Sequence, residues 1–152
     1  MIKYTKATLN DIKDMQSLVL DEVKKGVILF RSDDEVATNI RSYTLAKDNE
    51  KVVGYVALHI HSPKLAEVRS LIVDESYQGK GIGKELVKRC IKEAKDIGIK
   101  ELFTLTYKKE FFEKVGFKEI AKEKLPEHKI WADCVKCKHF PVCDEIALIL
   151  YT

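Results

Sequence analysis

The stretch Val73-Asp74-Glu75-Ser76-Tyr77-Gln78-Gly79-Lys80-Gly81-Ile82-Gly83-Lys84 constrains this chain more than any other. A run rich in branched residues, Leu65 to Val73, ends there. Ile82, Leu86, Cys90, Ile91, Ala94 and Ile97 then recur at helical spacing, closed by Gly98. A strand, a glycine turn and a helix thus follow one another directly. The glycines let the backbone tighten and let another group come close to it. The free N–H groups of the helix start favour an anion, and a diphosphate is the natural guest. The spacing differs from the P-loop, which needs Gly-Lys-Ser/Thr after four intervening residues, and from the dinucleotide pattern Gly-x-Gly-x-x-Gly. The alternative is that Gly79, Gly81 and Gly83 make a tight turn and nothing else.

The rest of the chain surrounds this unit with short elements. Ile2 to Lys6 reads as a first strand. Thr8 and Asp11 open a helix with an apolar stripe at Ile12, Met15, Val19 and Val23, and Gly26 ends it. Ser32 and Glu35 form a capping box, which predicts a second helix to about Tyr43. Leu45 to Lys47 starts a strand, Asp48-Asn49-Glu50 turns, and Lys51 to Ile60 runs back as a long strand. After the central unit come a strand at Glu101 to Tyr107, a short helix at Lys109 to Val115 and a strand from Gly116-Phe117 to Ala121. A polar stretch from Glu123 to Glu145 follows, then a last strand, Ile146 to Tyr151. The order β-α-α-β-β-β-α-β-α-β-β implies an α/β (α+β) fold, a mixed central sheet with helices on both faces.

Length and composition exclude several classes. A chain of 152 residues without repeats or a linker fits one domain, residues 1–152. A 45% hydrophobic content with 3 Pro and 7 Gly is not that of a disordered chain. The net charge of +3 is spread out, with 23 Lys and 4 Arg and no dense basic stripe, so nucleic acid is not an expected partner. No apolar run approaches the roughly 20 residues of a membrane span, and Met1 to Lys6 lacks a signal-peptide core, which points to the cytoplasm. Cys134, Cys137, His139 and Cys143 cluster at a spacing compatible with zinc, with packed thiols or a facultative disulfide as alternatives.

Gln78-Gly79-Lys80-Gly81-Ile82-Gly83 resembles the Gln/Arg-x-x-Gly-x-Gly/Ala signature of the GNAT superfamily of acetyl-CoA-dependent N-acetyltransferases. The strand Glu67 to Val73, the helix after the turn and Phe111-Phe112-Glu113-Lys114-Val115-Gly116-Phe117 fit it too. Within that superfamily, four segments are similar to the short, stand-alone bacterial N-acetylglutamate synthases. They are Phe30-Arg31-Ser32, Ala66 to Leu71, Leu105-Thr106-Tyr107 with Phe111-Phe112, and Ile130-Trp131 through Asp133-Cys134, Cys137 and Cys143-Asp144-Glu145. The resemblance implies a GNAT fold and direct acetyl transfer from acetyl-CoA to the α-amine of L-glutamate, the first step of arginine biosynthesis. The amino-acid-kinase domain of the long synthases has no counterpart in these residues. That leaves arginine feedback open. The resemblance implies acetyl-CoA and L-glutamate as small-molecule partners, with no nucleic acid and no membrane, and leaves a homodimer open.

Three tasks then fall to particular residues. Gln78, Gly79, Lys80, Gly81, Ile82, Gly83 and Lys84 would hold the diphosphate through main-chain N–H groups and the helix dipole. The resemblance implies that Leu71, Ile72 and Val73 offer main-chain groups to the pantetheine arm and the acetyl oxygen, where two parallel strands splay. Glu67 is the candidate base, through water. On an unbulged strand residues 67, 69, 71 and 73 share one face, and the alternative is a solvated Glu67–Arg69 pair. Phe112 stands where many GNAT enzymes carry Tyr, so the usual donor is missing and Tyr107 is the candidate acid toward the departing sulfur; the alternatives are a thiolate that leaves unaided and a strand-end packing role for Tyr107. Two carboxylates on glutamate ask for more than one cation, and arginine gives bidentate recognition. Arg41 and Arg89 fall within helices, which leaves Arg31 with Ser32 first and Arg69 second, or an ordinary helix cap with an exposed Arg31. Two other readings stand beside these: a GNAT enzyme for another amine, and a non-catalytic acetyl-CoA-binding or metal-sensing module.

Overall fold

The computed structural model describes residues 1–26, 28–121 and 145–152. The elements are β1 (Ile2–Lys6), α1 (Ile12–Lys24), α2 (Asp33–Thr38), β2 (Tyr43–Asp48), β3 (Lys51–Ile60), β4 (Leu65–Val73), α3 (Ile82–Ile97), β5 (Glu101–Thr106), α4 (Lys109–Lys114), β6 (Lys118–Ile120) and β7 (Ile146–Tyr151). Among the described residues the strands form one seven-stranded sheet in the order β1-β2-β3-β4-β5-β7-β6. All neighbours are antiparallel except β4 and β5. No helix among the described residues is long and apolar enough to cross a membrane. The cysteine-bearing stretch, including Trp131, Cys134, Cys137, His139 and Cys143, lies outside the described residues.

Local chemistry sets these elements. Thr8 N–H donates to Asp11 Oδ2 at 2.8 Å, which caps a single 3-10 turn that leads into α1. The Ser32 hydroxyl accepts from Glu35 N–H at 3.2 Å and starts α2. That helix ends at Thr38, earlier than its pattern predicts. A 3-10 turn at Ile40–Ser42 follows, and Tyr43 already belongs to β2. The cause is tertiary: the Tyr43, Thr44, Leu45 and Ala46 side chains are all buried in the sheet. Asn49 takes a φ of 56°, which asparagine tolerates, and so closes the β2–β3 hairpin.

Each face of the sheet carries its own core. On one, Ile82, Leu86, Val87, Cys90 and Ala94 of α3 pack on Val53, Val56, Leu58, Ala66, Val68 and Leu102. Each Leu or Ile buried there contributes about 1.5–3 kcal/mol. Burial also pushes the Cys90 thiol up to about 12, so it stays protonated. On the other face Met15 and Val19 of α1 and Val36 of α2 pack on Tyr43, Leu45, Tyr55, Ala57 and Ile72. Gly54 lets α3 settle on β3: a Cβ there would meet the Ile72 carbonyl oxygen at 2.9 Å and Leu86 Cδ1 at 3.4 Å. Gly54→Ala should therefore cost about 1–3 kcal/mol as overpacking. Urea denaturation will show a lowered midpoint with an unchanged slope; a native midpoint contradicts this packing.

Candidate active site

The cleft begins where two strands part. β4 and β5 are paired from Leu65–Glu101 to Glu67–Phe103. Past that point Thr104 Oγ1 donates to the Val68 carbonyl at 2.8 Å, a side-chain bond that takes the place of the next ladder contact. β4 then carries an extra residue. Between the pairs Tyr55–Ile72 and Ala57–Arg69, β3 advances two residues while β4 advances three. Ser70 absorbs the insertion with a φ of 60°. This corrects the expectation of an unbulged strand. Glu67 and Arg69 share a face with Ile72, whereas Leu71 and Val73 turn to the α3 side with Ala66 and Val68.

The parting strands open a cleft of about 460 Å³. Val68 to Val73 form one wall and Thr104 to Lys108 the other. Ser17, Leu18, Asp21 and Glu22 of α1, with Ile28, Leu29 and Arg31, cover it, and Phe112 and Glu145 complete it. Sequence reasoning missed the α1 contribution. Ser17 with Asp21 and Leu18 with Glu22 recur four residues apart, a spacing that puts each pair on one helix face, but nothing local marks that face as functional.

At the far end Gln78 lines the cleft, and its amide Nε2 donates to the Val73 carbonyl at 3.1 Å. Asp74 Oδ1 accepts from Ser76 N–H at 3.0 Å and from its hydroxyl at 2.8 Å, which keeps the Asp74 carboxyl below the usual range. The Tyr77 hydroxyl donates to Asp48 Oδ2 at 2.7 Å and ties the turn to the β2–β3 hairpin. Lys51 and Lys80 stand over the Tyr77 ring at 5.4 and 5.3 Å. Gly79 and Gly81 adopt φ of 79° and 83°, with no atom within 4 Å of where a Cβ would sit. The first bond of α3 runs from Glu85 N–H to the Gly81 carbonyl at 3.0 Å, so the amides of Ile82, Gly83 and Lys84 precede the helical ladder. The Ile82 side chain itself is buried in the core.

The structure separates the other predicted residues. Arg31, Arg69 and Tyr107 line the cleft together with Leu71, Ile72 and Val73. The Arg31 side chain is only 10% exposed and stands 3.7 Å from Glu35 Oε2. Its carbonyl accepts from Gln16 Nε2 at 2.8 Å, which pins the segment to α1. Arg41 and Arg89 are exposed. Ser32 is occupied as the cap of α2 and does not line the cleft. Tyr107 is 40% exposed, just past β5. Phe112 is buried between Phe111 and Phe117, edge to face with both. Glu67 is neither solvated nor in the cleft wall. It is buried, two residues before Arg69 on β4, with its Oε1 2.9 Å from His61 Nε2.

Residues 12–117 match the acetyltransferase (GNAT) family model, and they include both strands of the cleft and the glycine turn. This chain belongs to the GNAT family. It is thus an N-acetyltransferase of the acetyl-CoA-dependent kind. An uncharacterised N-acetyltransferase of Chlorobaculum tepidum is 37% identical over 143 residues, 94% of this chain and 92% of that one. An amino-acid acetyltransferase of Mycobacterium tuberculosis is 31% identical over 118 residues, 76% of this chain and 67% of that one. That of Escherichia fergusonii is 28% identical, and the chain spans only 28% of its length. The fold recurs in N-acetylglutamate synthase from Neisseria gonorrhoeae complexed with coenzyme A and N-acetyl-glutamate. The TM-score is 0.88 at 23% identity, over 99% of this chain and 35% of that one. A Mycobacterium tuberculosis protein in complex with CoA superposes with a TM-score of 0.83 at 24% identity, over 99% of both chains.

Two glycines of the GNAT turn differ in what they require. Gly81→Ala forces a side chain into left-handed backbone and should cost about 1 kcal/mol. At Gly83 an added Cβ meets the Phe111 ring at 3.5 Å and Val73 Cγ2 at 3.6 Å, ordinary contact inside a helix. Gly83→Ala should therefore be neutral or gain up to about 1 kcal/mol. Thermal melts of the two variants test the pair, and equal losses contradict it.

Proposed function

We propose that this enzyme acetylates the α-amine of a dicarboxylic amino acid, L-glutamate foremost, by direct transfer from acetyl-CoA, and so serves as an N-acetylglutamate synthase of arginine biosynthesis. The observation that carries the reading is the presence of both Arg31 and Arg69 in the walls of one cleft, in a chain with four arginines. Two guanidinium groups match two carboxylates, each able to make a bidentate pair. The resemblance to the Mycobacterium tuberculosis amino-acid acetyltransferase supports an amino-acid acceptor.

In this reading the amides of residues 79–84 hold the diphosphate and the start of α3 supplies the favourable dipole. The main chain of Leu71, Ile72 and Val73 faces the pantetheine arm and the acetyl oxygen. Arg31 and Arg69 orient the acceptor so that its ammonium approaches the thioester. Glu67 stands two residues, about 7 Å, along the strand from Arg69, and since it is buried outside the cleft wall one ammonium proton reaches it only by relay through water that enters between the parting strands. The freed lone pair forms the C–N bond as the C–S bond breaks. Tyr107 gives its proton to the departing sulfur and regains one from the amine nitrogen.

Thiol release from acetyl-CoA across a panel of amino acids, polyamines and peptides tests the reading. Glutamate should be the best acceptor. A polyamine or a peptide in its place overturns the choice of substrate, and coenzyme binding without turnover overturns the enzyme itself. Arg31→Lys should raise KM for glutamate about tenfold or more while leaving KM for acetyl-CoA near native. Equal rises in both contradict the role of Arg31. Tyr107→Phe should lower kcat by about tenfold or more. An unchanged rate with an unchanged pH profile removes Tyr107 as the acid.

A further inference from the structure

We infer that His61 is a positioning residue that holds Glu67 ready to accept the proton of the incoming amine. The inference rests on the reading of Glu67 as the base. His61 Nε2 stands 2.9 Å from Glu67 Oε1, and their side chains are only 3% and 2% exposed. An ionised carboxylate so deeply buried must be paired and hydrogen-bonded, and it can only accept, so the imidazole donates through Nε2–H.

The imidazole is held from several sides. The His61 N–H donates to the Leu65 carbonyl at 2.9 Å, so the β3–β4 turn fixes its backbone. Its ring lies tilted on Phe103 at 5.4 Å and meets the edge of His59 at 4.7 Å. Glu67 is paired in register with His59 on β3 and with Phe103 on β5. The two rings that locate His61 therefore flank the carboxylate across the sheet. The titratable and charged groups that register places on this face around Glu67 include Tyr55 and His59 on β3, Arg69 on β4, Glu101 on β5, two residues before Phe103, and Tyr151 on β7 opposite Glu101. Phe103 sits at the last paired position before β4 and β5 part, so the pair lies directly behind the mouth of the wedge. One proton moves in the step, from the ammonium through water to Glu67. His61 keeps its own and acts through the carboxylate.

The experiment compares kcat, KM and the pH profile of kcat/KM for His61→Leu, His61→Gln and Glu67→Gln. Glu67→Gln should lose about a hundredfold or more in kcat, and a native rate there overturns the base assignment and this inference with it. His61→Leu removes the donor. It should lower kcat about tenfold with KM for acetyl-CoA unchanged. The acidic limb should move up by about one pH unit, because a donor that favours the charged carboxylate is lost. His61→Gln restores a neutral donor and should stay within about threefold of native, with its limb near the native position. If His61→Leu matches the native protein in kcat and limb while Glu67→Gln is impaired, the base stands and the role of His61 is overturned. Nitrogen-15 spectra of the native imidazole decide the matter should the Leu variant fail to fold. A proton on Nε2 across the active pH range supports the inference, and a proton on Nδ1 alone overturns it.

Discussion

The early parting of β4 from β5 is the feature on which the rest of this molecule depends. Two parallel strands that stay paired leave no room between them. Here the ladder ends at Glu67 and Phe103, and the Thr104 hydroxyl takes up the Val68 carbonyl that the ladder abandons. The extra residue at Ser70 then rotates the following strand. Leu71 and Val73 come to face α3, while Arg69 stays on the side of α1. One inserted residue thus lets a single strand serve two purposes. Its first half brings Arg69 into the cleft, and its second half joins the wall that runs to the glycine turn.

That arrangement places charge according to need. The turn offers amides of Ile82, Gly83 and Lys84 outside the helical ladder, with Gly79 and Gly81 at backbone angles that leave the approach open. Arg31 is half of a different story. It is positioned by Gln16 and Glu35 and enters the cleft from the segment after α1 rather than from the sheet. The cleft therefore joins two layers, and a change in how α1 packs will reach Arg31 before it reaches the turn.

Some of this was legible in the residues themselves. The turn from Val73 to Lys84 announced itself because glycine has few reasons to recur so closely between a strand and a helix. Strand limits such as Leu65–Val73 and Lys51–Ile60 followed from runs of branched residues. The bulge did not, because a serine at positive φ carries no signature, and alternation alone put residues 67 to 73 on a single face. The contact between His61 and Glu67 joins residues on either side of a turn, so neither histidine spacing nor carboxylate spacing could reveal it. Ser32 showed the opposite case. Its local capping chemistry was plain, and that chemistry occupies its hydroxyl. Tyr43 was drawn from a predicted helix into β2 by burial that no local pattern records.

The most direct test is a crystal structure with a hydrolysis-resistant acetyl-CoA analogue. The account predicts its carbonyl oxygen within hydrogen-bonding reach of a main-chain N–H between Leu71 and Val73, its arm in the wedge between β4 and β5, and its diphosphate on the amides that follow Gln78. An analogue bound elsewhere, with the two strands closed against each other, contradicts it.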